Sequence, residues 1–269
     1  MAKILPLGGD VDWPEDEGVL GVVGVAPWAT IEFLRAFYTL VPATKDWHFP
    51  RVITDTNTKL PSRGRYFQLG ERDPSPFIAE NIQELADLGA TVIVLPCNTA
   101  HLLYDRWAAN APVPVPHIVE ETVALARHEQ AKLVTPFTST SLADFDLYGA
   151  VIEKQGMACH RLSPEDQSLV SQLLEEVKVH SAVGGANLER LDRLCSKLRL
   201  SGVDTILLGC TELTSLMPRF AKHGLKVFDS NQALAGSAFR LVMGKQSQTI
   251  SHTTLQRFPP DTTAIIRPA

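Results

Sequence analysis

Two cysteines stand at matching places in two similar stretches of the sequence. Gly89 lies eight positions before Cys97, and Gly202 lies eight positions before Cys210. Mostly apolar residues fill each interval, a pattern typical of a strand buried on both faces of a parallel sheet. A residue just past the end of such a strand lies at the crevice where open α/β sheets bind ligands. The sequence therefore predicts two thiols at two equivalent strand ends.

Polar residues follow each thiol, and a predicted helix follows them. Asn98-Thr99 come after Cys97, and Thr211-Glu212 come after Cys210. The N-terminus of a helix favours a thiolate and attracts a carboxylate. If the two halves of the chain face each other, one thiolate can remove an α-proton while the other thiol returns a proton to the opposite face. Donors aimed at the substrate carboxylate would stabilise the enolate-like charge that develops. This arrangement predicts inversion at a carbon by two bases.

The cysteines also have alternative interpretations. Cys97 and Cys210 could be small core residues, which is a common fate of free cysteine. A zinc site could use Cys97, His101 and Cys210, but no second ligand pair has zinc spacing, so we expect no metal. Cys195 falls on an apolar stripe and Cys159 lacks polar neighbours suited to catalysis, so both are expected to be structural.

The elements that position the thiols alternate between strands and helices. Strands are predicted at residues 18–25, 52–54, 132–135, 157–160 and 227–230, besides the two that precede the cysteines. Helices are predicted at residues 29–40, 74–88, 101–109, 120–127, 142–154, 188–200 and 232–243, with a further start at Ser163. The segment Pro112 to Pro116 is a rigid connector between the two halves. The sequence therefore predicts an α/β protein with a parallel sheet built twice.

Bulk composition excludes several classes of function. The 269 residues are 45% apolar and 20% charged, with a formal net charge of −5. Without a basic run, neither nucleic acid nor an anionic membrane is expected as a partner. The N-terminal residues do not form a signal-peptide pattern, and no apolar run reaches the roughly 18 residues of a membrane span. Four cysteines without close pairing favour a reducing, cytoplasmic location.

The stretches Pro96-Cys97-Asn98-Thr99-Ala100-His101 and Gly209-Cys210-Thr211-Glu212 resemble the paired signatures of the PLP-independent aspartate/glutamate racemase family, and are closer to its aspartate racemases. The resemblance extends from about Gly18 to Met243. It implies two similar α/β domains related by a pseudo-two-fold axis, with the active site in the cleft between them. The domains would be residues 18–114 with 228–244, and residues 115–227, with extensions at 1–17 and 245–269. The family is commonly dimeric.

The resemblance also implies a mechanism and a set of site residues. It implies racemisation without a cofactor, and no PLP motif is recognisable in the sequence. Cys97 and Cys210 match the acid/base cysteines. Asn98, Thr99 and Thr211 match positions that bind the α-carboxylate and amine of the substrate. Arg63 and Lys178 match cations that hold a distal carboxylate. Asn57 matches a residue that lines the cleft, and Glu212 is also expected among the substrate-binding residues.

Several positions depart from the family pattern. The first loop reads Val23-Gly24-Val25-Ala26-Pro27-Trp28 where the family has Gly-Gly-Met-Gly-Pro, so glycines are lost and bulk is gained. Ser62 stands where an Asp is usual, and Thr138-Ser139-Thr140 replaces a Thr-x-Gly-Thr pattern.

We therefore expect an amino acid racemase for aspartate, glutamate or a broader set. The alternatives are a related isomerase or decarboxylase of a non-amino-acid carboxylate, or a ligand-binding homologue without activity.

Overall fold

The computed structural model describes residues 16–180 and 183–244, apart from the side chains of Lys178 and Thr211. Two parallel sheets form the frame. In the first sheet β1 (Leu20–Gly24) lies between β2 (Val52–Thr56) and β3 (Val92–Val94). In the second sheet the order is β5 (Ala158–Cys159), β4 (Leu133–Thr138), β6 (Thr205–Gly209) and β7 (Lys226–Asp229). The predicted α/β fold with a doubled parallel sheet is confirmed.

Helices separate and cover the sheets. In the first half of the chain they are α1 (Pro27–Leu40), α2 (Arg63–Leu69), α3 (Ser75–Asp87) and α4 (Tyr104–Trp107). In the second half they are α5 (Ile118–His128), α6 (Thr140–Asp144), α7 (Leu147–Lys154), α8 (Pro164–His180), α9 (Gly185–Leu200), α10 (Met217–Ala221) and α11 (Ser230–Val242). Short 3-10 helices occupy Asp46–His48, Asn98–Leu103 and Thr211–Leu216. No helix in these residues is long and apolar enough to cross a membrane.

A central helical layer joins the two sheets. Helix α11 packs against α1 on one side and α5 on the other, and it also contacts β3 and β7. The same buried cluster contains Leu20 and Val22 of β1 and Leu207 of β6. Since residues of a central strand alternate between two faces, Val23 and Leu208 point to two separate outer clusters. The last described helix therefore binds the two halves together, and the exact domain boundaries stay a prediction.

Some elements differ from those predicted. The strand predicted at residues 52–54 extends to Thr56, and α2, which was not predicted, begins at Arg63 after Ser62, which caps it by accepting a hydrogen bond from the Arg65 N–H. The helix predicted over residues 142–154 is broken, because Asp146 has a φ of 50° between α6 and α7. The helix predicted from His101 begins earlier, as a 3-10 turn at Asn98.

Candidate active site

The two thiols have the same local backbone geometry. Two residues separate Cys97 from the end of β3, and Cys210 directly follows β6; both cysteines are extended, with φ near −150°. Each precedes a 3-10 helix whose first turn bonds back to it: the N–H of Ala100 donates to Cys97 O, and that of Leu213 donates to Cys210 O, both at 3.2 Å. The repeated sequence pattern is therefore a repeated structure, and both thiols are partly exposed at the carboxyl ends of strands.

The carboxyl edges of the two sheets meet at the first thiol. Thr99 Oγ1 lies 3.3 Å from the hydroxyl of Ser139, the residue that follows β4. Asn98 is buried, and its side chain is bonded at both ends: Nδ2 donates to Ser230 Oγ at 2.9 Å, and Oδ1 accepts from the Tyr148 hydroxyl at 2.8 Å. The loop after β3 is thus held by three residues of the second half of the chain.

Tyr148 reaches the second thiol loop as well. A Cβ atom added to Gly209, the residue before Cys210, would lie 2.7 Å from Cε2 of the Tyr148 ring and 2.7 Å from Cγ2 of Thr138. Gly209 is therefore required for close packing rather than for a special backbone angle. Burial raises the pKa of the Tyr148 phenol well above its usual range, so the hydroxyl stays protonated and donates to Asn98.

A carboxylate accompanies the second thiol. Cys210 Sγ donates a hydrogen bond to Glu212 Oε2 over 2.9 Å. The residue equivalent to Glu212 after the first thiol is Thr99, which carries a hydroxyl. The two thiols therefore have matched backbones, but only Cys210 has a carboxylate two residues further along, and its thiol donates to that carboxylate.

A neutral histidine supports the first thiol. His101 is fully buried, and burial together with the neighbouring His117 lowers its pKa to about 3. Because a backbone oxygen only accepts, Nδ1 carries the hydrogen and donates to Cys97 O at 2.9 Å.

The zinc alternative would need the His101 ring to bind a metal with both cysteines. Within residues 16–180 and 183–244 no group of three or more His, Cys, Asp or Glu side chains is arranged to hold a metal ion.

Comparisons with known proteins identify the family of the chain. A sequence profile of the Asp/Glu/Hydantoin racemase family matches residues 21–238. The chain belongs to this racemase family. Over 171 residues it is 27% identical to the broad specificity amino-acid racemase RacX of Bacillus subtilis, a match covering 63% of this chain and 73% of that protein. It is 28% identical over 172 residues to the glutamate racemase of Shewanella woodyi, covering 62% of each.

A solved racemase shares the fold. The aspartate racemase of Picrophilus torridus superposes with a TM-score of 0.72 at 22% identity, covering 84% of this chain and 94% of that one. The family expected from the two cysteine signatures is therefore confirmed, and so is the α/β architecture. The roles of individual residues stay predictions.

The structure describes two of the other expected site residues, Arg63 and Asn57, in full. Arg63 begins α2, and its terminal nitrogens donate to the backbone oxygens of Pro61 at 3.2 Å and Val25 at 3.3 Å. Asn57, just after β2, accepts a hydrogen bond from the Lys59 N–H. Lys178 is part of α8 and Thr211 begins a 3-10 helix, and the side chains of both lie outside the described part of the chain.

The two remaining cysteines are poor nucleophiles. Burial raises the pKa of the Cys195 thiol to about 12 and that of the Cys159 thiol to about 11. Both groups therefore stay protonated at neutral pH. Cys195 is fully buried in the cluster between α8, α9 and β6, as the apolar stripe predicted.

Sequence reasoning missed three buried polar residues of the site. Tyr148, Asp229 and Ser230 are all inaccessible to solvent or nearly so. Ser230 was assigned only to the end of a strand, and Tyr148 only to a helix. A signal was present in the Asp229-Ser230 pair, because a polar pair between a strand and a helix is a helix-capping pattern and also falls at the ligand-binding edge of a sheet.

Proposed function

We propose that the protein is a cofactor-independent amino acid racemase in which Cys97 and Cys210 act as acid and base on opposite faces of the α-carbon. The observation that carries the proposal is the matched geometry of the two thiols at strand ends of two sheets whose carboxyl edges meet. Membership of the racemase family supports the reaction class, and the names of the two relatives support an amino acid as substrate.

The reaction removes one proton from the α-carbon and returns one proton to its opposite face. With Cys97 as thiolate, its sulfur takes the α-proton, the electron pair stays on the α-carbon, and the carboxylate shares the charge. The Cys210 thiol then gives its proton to the far face, which leaves Cys210 as thiolate and the carbon inverted. Racemisation of the other enantiomer uses the same groups in reverse. Two bases of one type suit a reaction with equal driving force in both directions.

Glu212 gives the second thiol a proton partner. When Cys210 acts as the acid, the hydrogen bond to Glu212 keeps the thiol oriented and protonated. When Cys210 acts as the base, Cys97 carries the thiol proton that is returned to the far face, and the carboxylate can hold the proton that Cys210 has released. Backbone N–H groups of the turns that start at Asn98 and Thr211 are donors suited to the substrate carboxylate.

The substrate range proposed is aspartate, glutamate or a broader set of amino acids. The terminal nitrogens of Arg63 each keep a second N–H beyond the bonds to Pro61 and Val25, so the guanidinium can also hold a distal carboxylate. Trp28, at the start of α1 beyond the carboxyl end of β1, is 74% exposed and can cover apolar side chains. The relative named for broad specificity supports the wider range. A cytoplasmic location and a homodimer stay predictions.

Deuterium exchange tests the proposal. The purified protein is incubated in D₂O with a panel of acidic, polar and apolar amino acids, and the α-proton signal and enantiomer ratio are followed. We expect deuterium at the α-carbon together with racemisation, and loss of racemisation in Cys97→Ser and Cys210→Ser. Cys159→Ser is the matched control and should keep full activity. If no amino acid exchanges its α-proton, the proposal fails; release of carbon dioxide or isomerisation of an unsaturated dicarboxylate would instead favour the alternatives named above.

A further inference from the structure

Two consecutive residues at the start of α11 each bind one of the thiol loops. Asp229 ends β7 and caps α11, and Ser230 is the first residue of that helix. Both have no solvent exposure. Neither was expected from the sequence to take part in the site.

Ser230 binds the first thiol loop. Its hydroxyl oxygen accepts a hydrogen bond from Asn98 Nδ2 at 2.9 Å, across 132 residues of sequence. Asn98 immediately follows Cys97, so this bond fixes the backbone turn on which the thiol stands. The other end of the Asn98 amide is held by Tyr148, which leaves the side chain little freedom to rotate.

Asp229 binds the second thiol loop. Its Oδ2 accepts a hydrogen bond from Thr214 Oγ1 at 2.6 Å, and its Oδ1 accepts from the Gln232 N–H at 3.0 Å. Thr214 lies in the 3-10 helix that starts after Cys210. Asp229 is also paired with Leu208 in the sheet, two residues before Cys210. Asp229 therefore contacts both sides of the second thiol: its carboxylate binds the turn after Cys210, and its backbone pairs with the strand before it.

We propose that Asp229 and Ser230 are positioning residues that together set the distance and orientation between the thiols of Cys97 and Cys210. This inference rests on the proposed function for its catalytic meaning, because two bases must stand on opposite faces of a single carbon. Placement within a fraction of an ångström matters for such a proton transfer. Helix α11 is a rigid support for Asp229 and Ser230, because its residues Leu234, Ala235 and Ala238 are fully buried in the central layer.

Site-resolved alkylation tests the inference without turnover. Iodoacetamide reacts with Cys97 and Cys210 at rates that mass spectrometry can follow separately, and each rate is compared with that of the wild type. In Ser230→Ala the rate at Cys97 should change at least about three-fold while that at Cys210 stays near wild type. In Thr214→Val the pattern should be reversed, and Thr214→Ser, which keeps the hydroxyl, should restore it. Ser201→Ala and Thr39→Val remove exposed hydroxyls and serve as controls.

The outcome is decided by selectivity. If each variant changes both thiols by the same factor, or changes neither, the inference is overturned. A second measurement uses turnover: primary α-deuterium isotope effects in the two directions report which proton transfer limits each one. A variant that weakens the support of one thiol loop should raise the isotope effect in one direction of racemisation and lower it in the other. A general loss of structure would change both isotope effects in the same way. If the wild type exchanges no amino acid, the proposed function fails, and the alkylation pattern still decides this inference.

Discussion

The hydroxyl of Tyr148 lies 2.8 Å from Oδ1 of Asn98, the residue that follows Cys97. The ring of the same tyrosine fills the space that a side chain at Gly209 would need, just before Cys210. One buried side chain therefore contacts a sequence neighbour of each thiol. Stability and activity should respond together to changes at this contact.

Removing the Tyr148 hydroxyl should weaken both fold and activity. In Tyr148→Phe the buried Asn98 Oδ1 loses its donor, which should lower the free energy of unfolding by about 1–3 kcal/mol. Racemisation should fall because the Asn98 side chain is then held by Ser230 alone. Urea denaturation and enantiomer analysis measure the two effects. Tyr38→Phe, at a partly exposed residue of α1, is the control, and an equal effect there would contradict the assignment.

Adding one methyl group at Gly209 should be costly. In Gly209→Ala the new Cβ would overlap the Tyr148 ring and the Thr138 methyl at 2.7 Å, and such overpacking typically costs about 1–3 kcal/mol of unfolding free energy. Gly64→Ala is the control, because a Cβ there meets no atom within 4 Å and alanine favours the α2 helix. Thermal denaturation should therefore show opposite shifts, and a stable, fully active Gly209→Ala would refute the close packing.

Glu212→Gln tests the proton partner of Cys210. The amide keeps the size of the side chain but is not a base, so kcat should fall by a factor on the order of 100. Because Cys97 has no carboxylate at the matching position, Thr99→Ser should have a far smaller effect. Steady-state kinetics with both enantiomers measures kcat for each variant. An unchanged kcat in Glu212→Gln would show that Glu212 has no part in proton transfer.

Asp229→Asn should change how stability depends on pH. Burial raises the pKa of the Asp229 carboxyl from its ordinary 3.8 to about 6, against the hydrogen bonds that it accepts from Thr214 and Gln232. The stability that this raised pKa contributes is fully present only below the ordinary value of 3.8 and is lost as the pH rises through 6. Relative to the variant, wild type should thus lose roughly 2 kcal/mol of unfolding free energy between pH 4 and 7.5. Parallel stability curves would show that this carboxyl has an ordinary pKa.

Arg63→Gln separates substrate binding from loop support. If the guanidinium holds a distal carboxylate, KM for aspartate and glutamate should rise roughly ten-fold or more while KM for alanine changes little. The bonds to Pro61 and Val25 are lost with every substrate, so their loss alone would affect all amino acids equally. The ratio of the two KM changes is therefore the deciding quantity, and a ratio near one would exclude the distal-carboxylate role.

Local signals in the sequence were sufficient for the fold and the two thiols. The Gly-to-Cys spacing and apolar runs predicted β3 and β6, and the fold confirms a thiol at the end of each. The break at Asp146 was not predictable in this way, because a φ of 50° is uncommon for a residue other than glycine, and its salt bridge at 2.6 Å is with Arg161, beyond α7.

Long-range polar contacts were also outside the reach of sequence patterns. A lone tyrosine such as Tyr148 in a helical stretch carries no mark of a partner 50 residues away. The pair Asp229-Ser230 has a local capping role that already explains its residue types, so its bonds to two distant loops become visible only in three dimensions.

The position of α11 in the chain has a consequence for biosynthesis. A polypeptide leaves the ribosome amino end first, so Cys97 and Cys210 emerge before the residues that tie their loops together. Ser230 is made 132 residues after its partner Asn98. A nascent chain, or one cut before residue 229, thus carries both thiols on loops without their shared anchor. Catalytic competence should therefore appear late in synthesis, once α11 docks between α1 and α5.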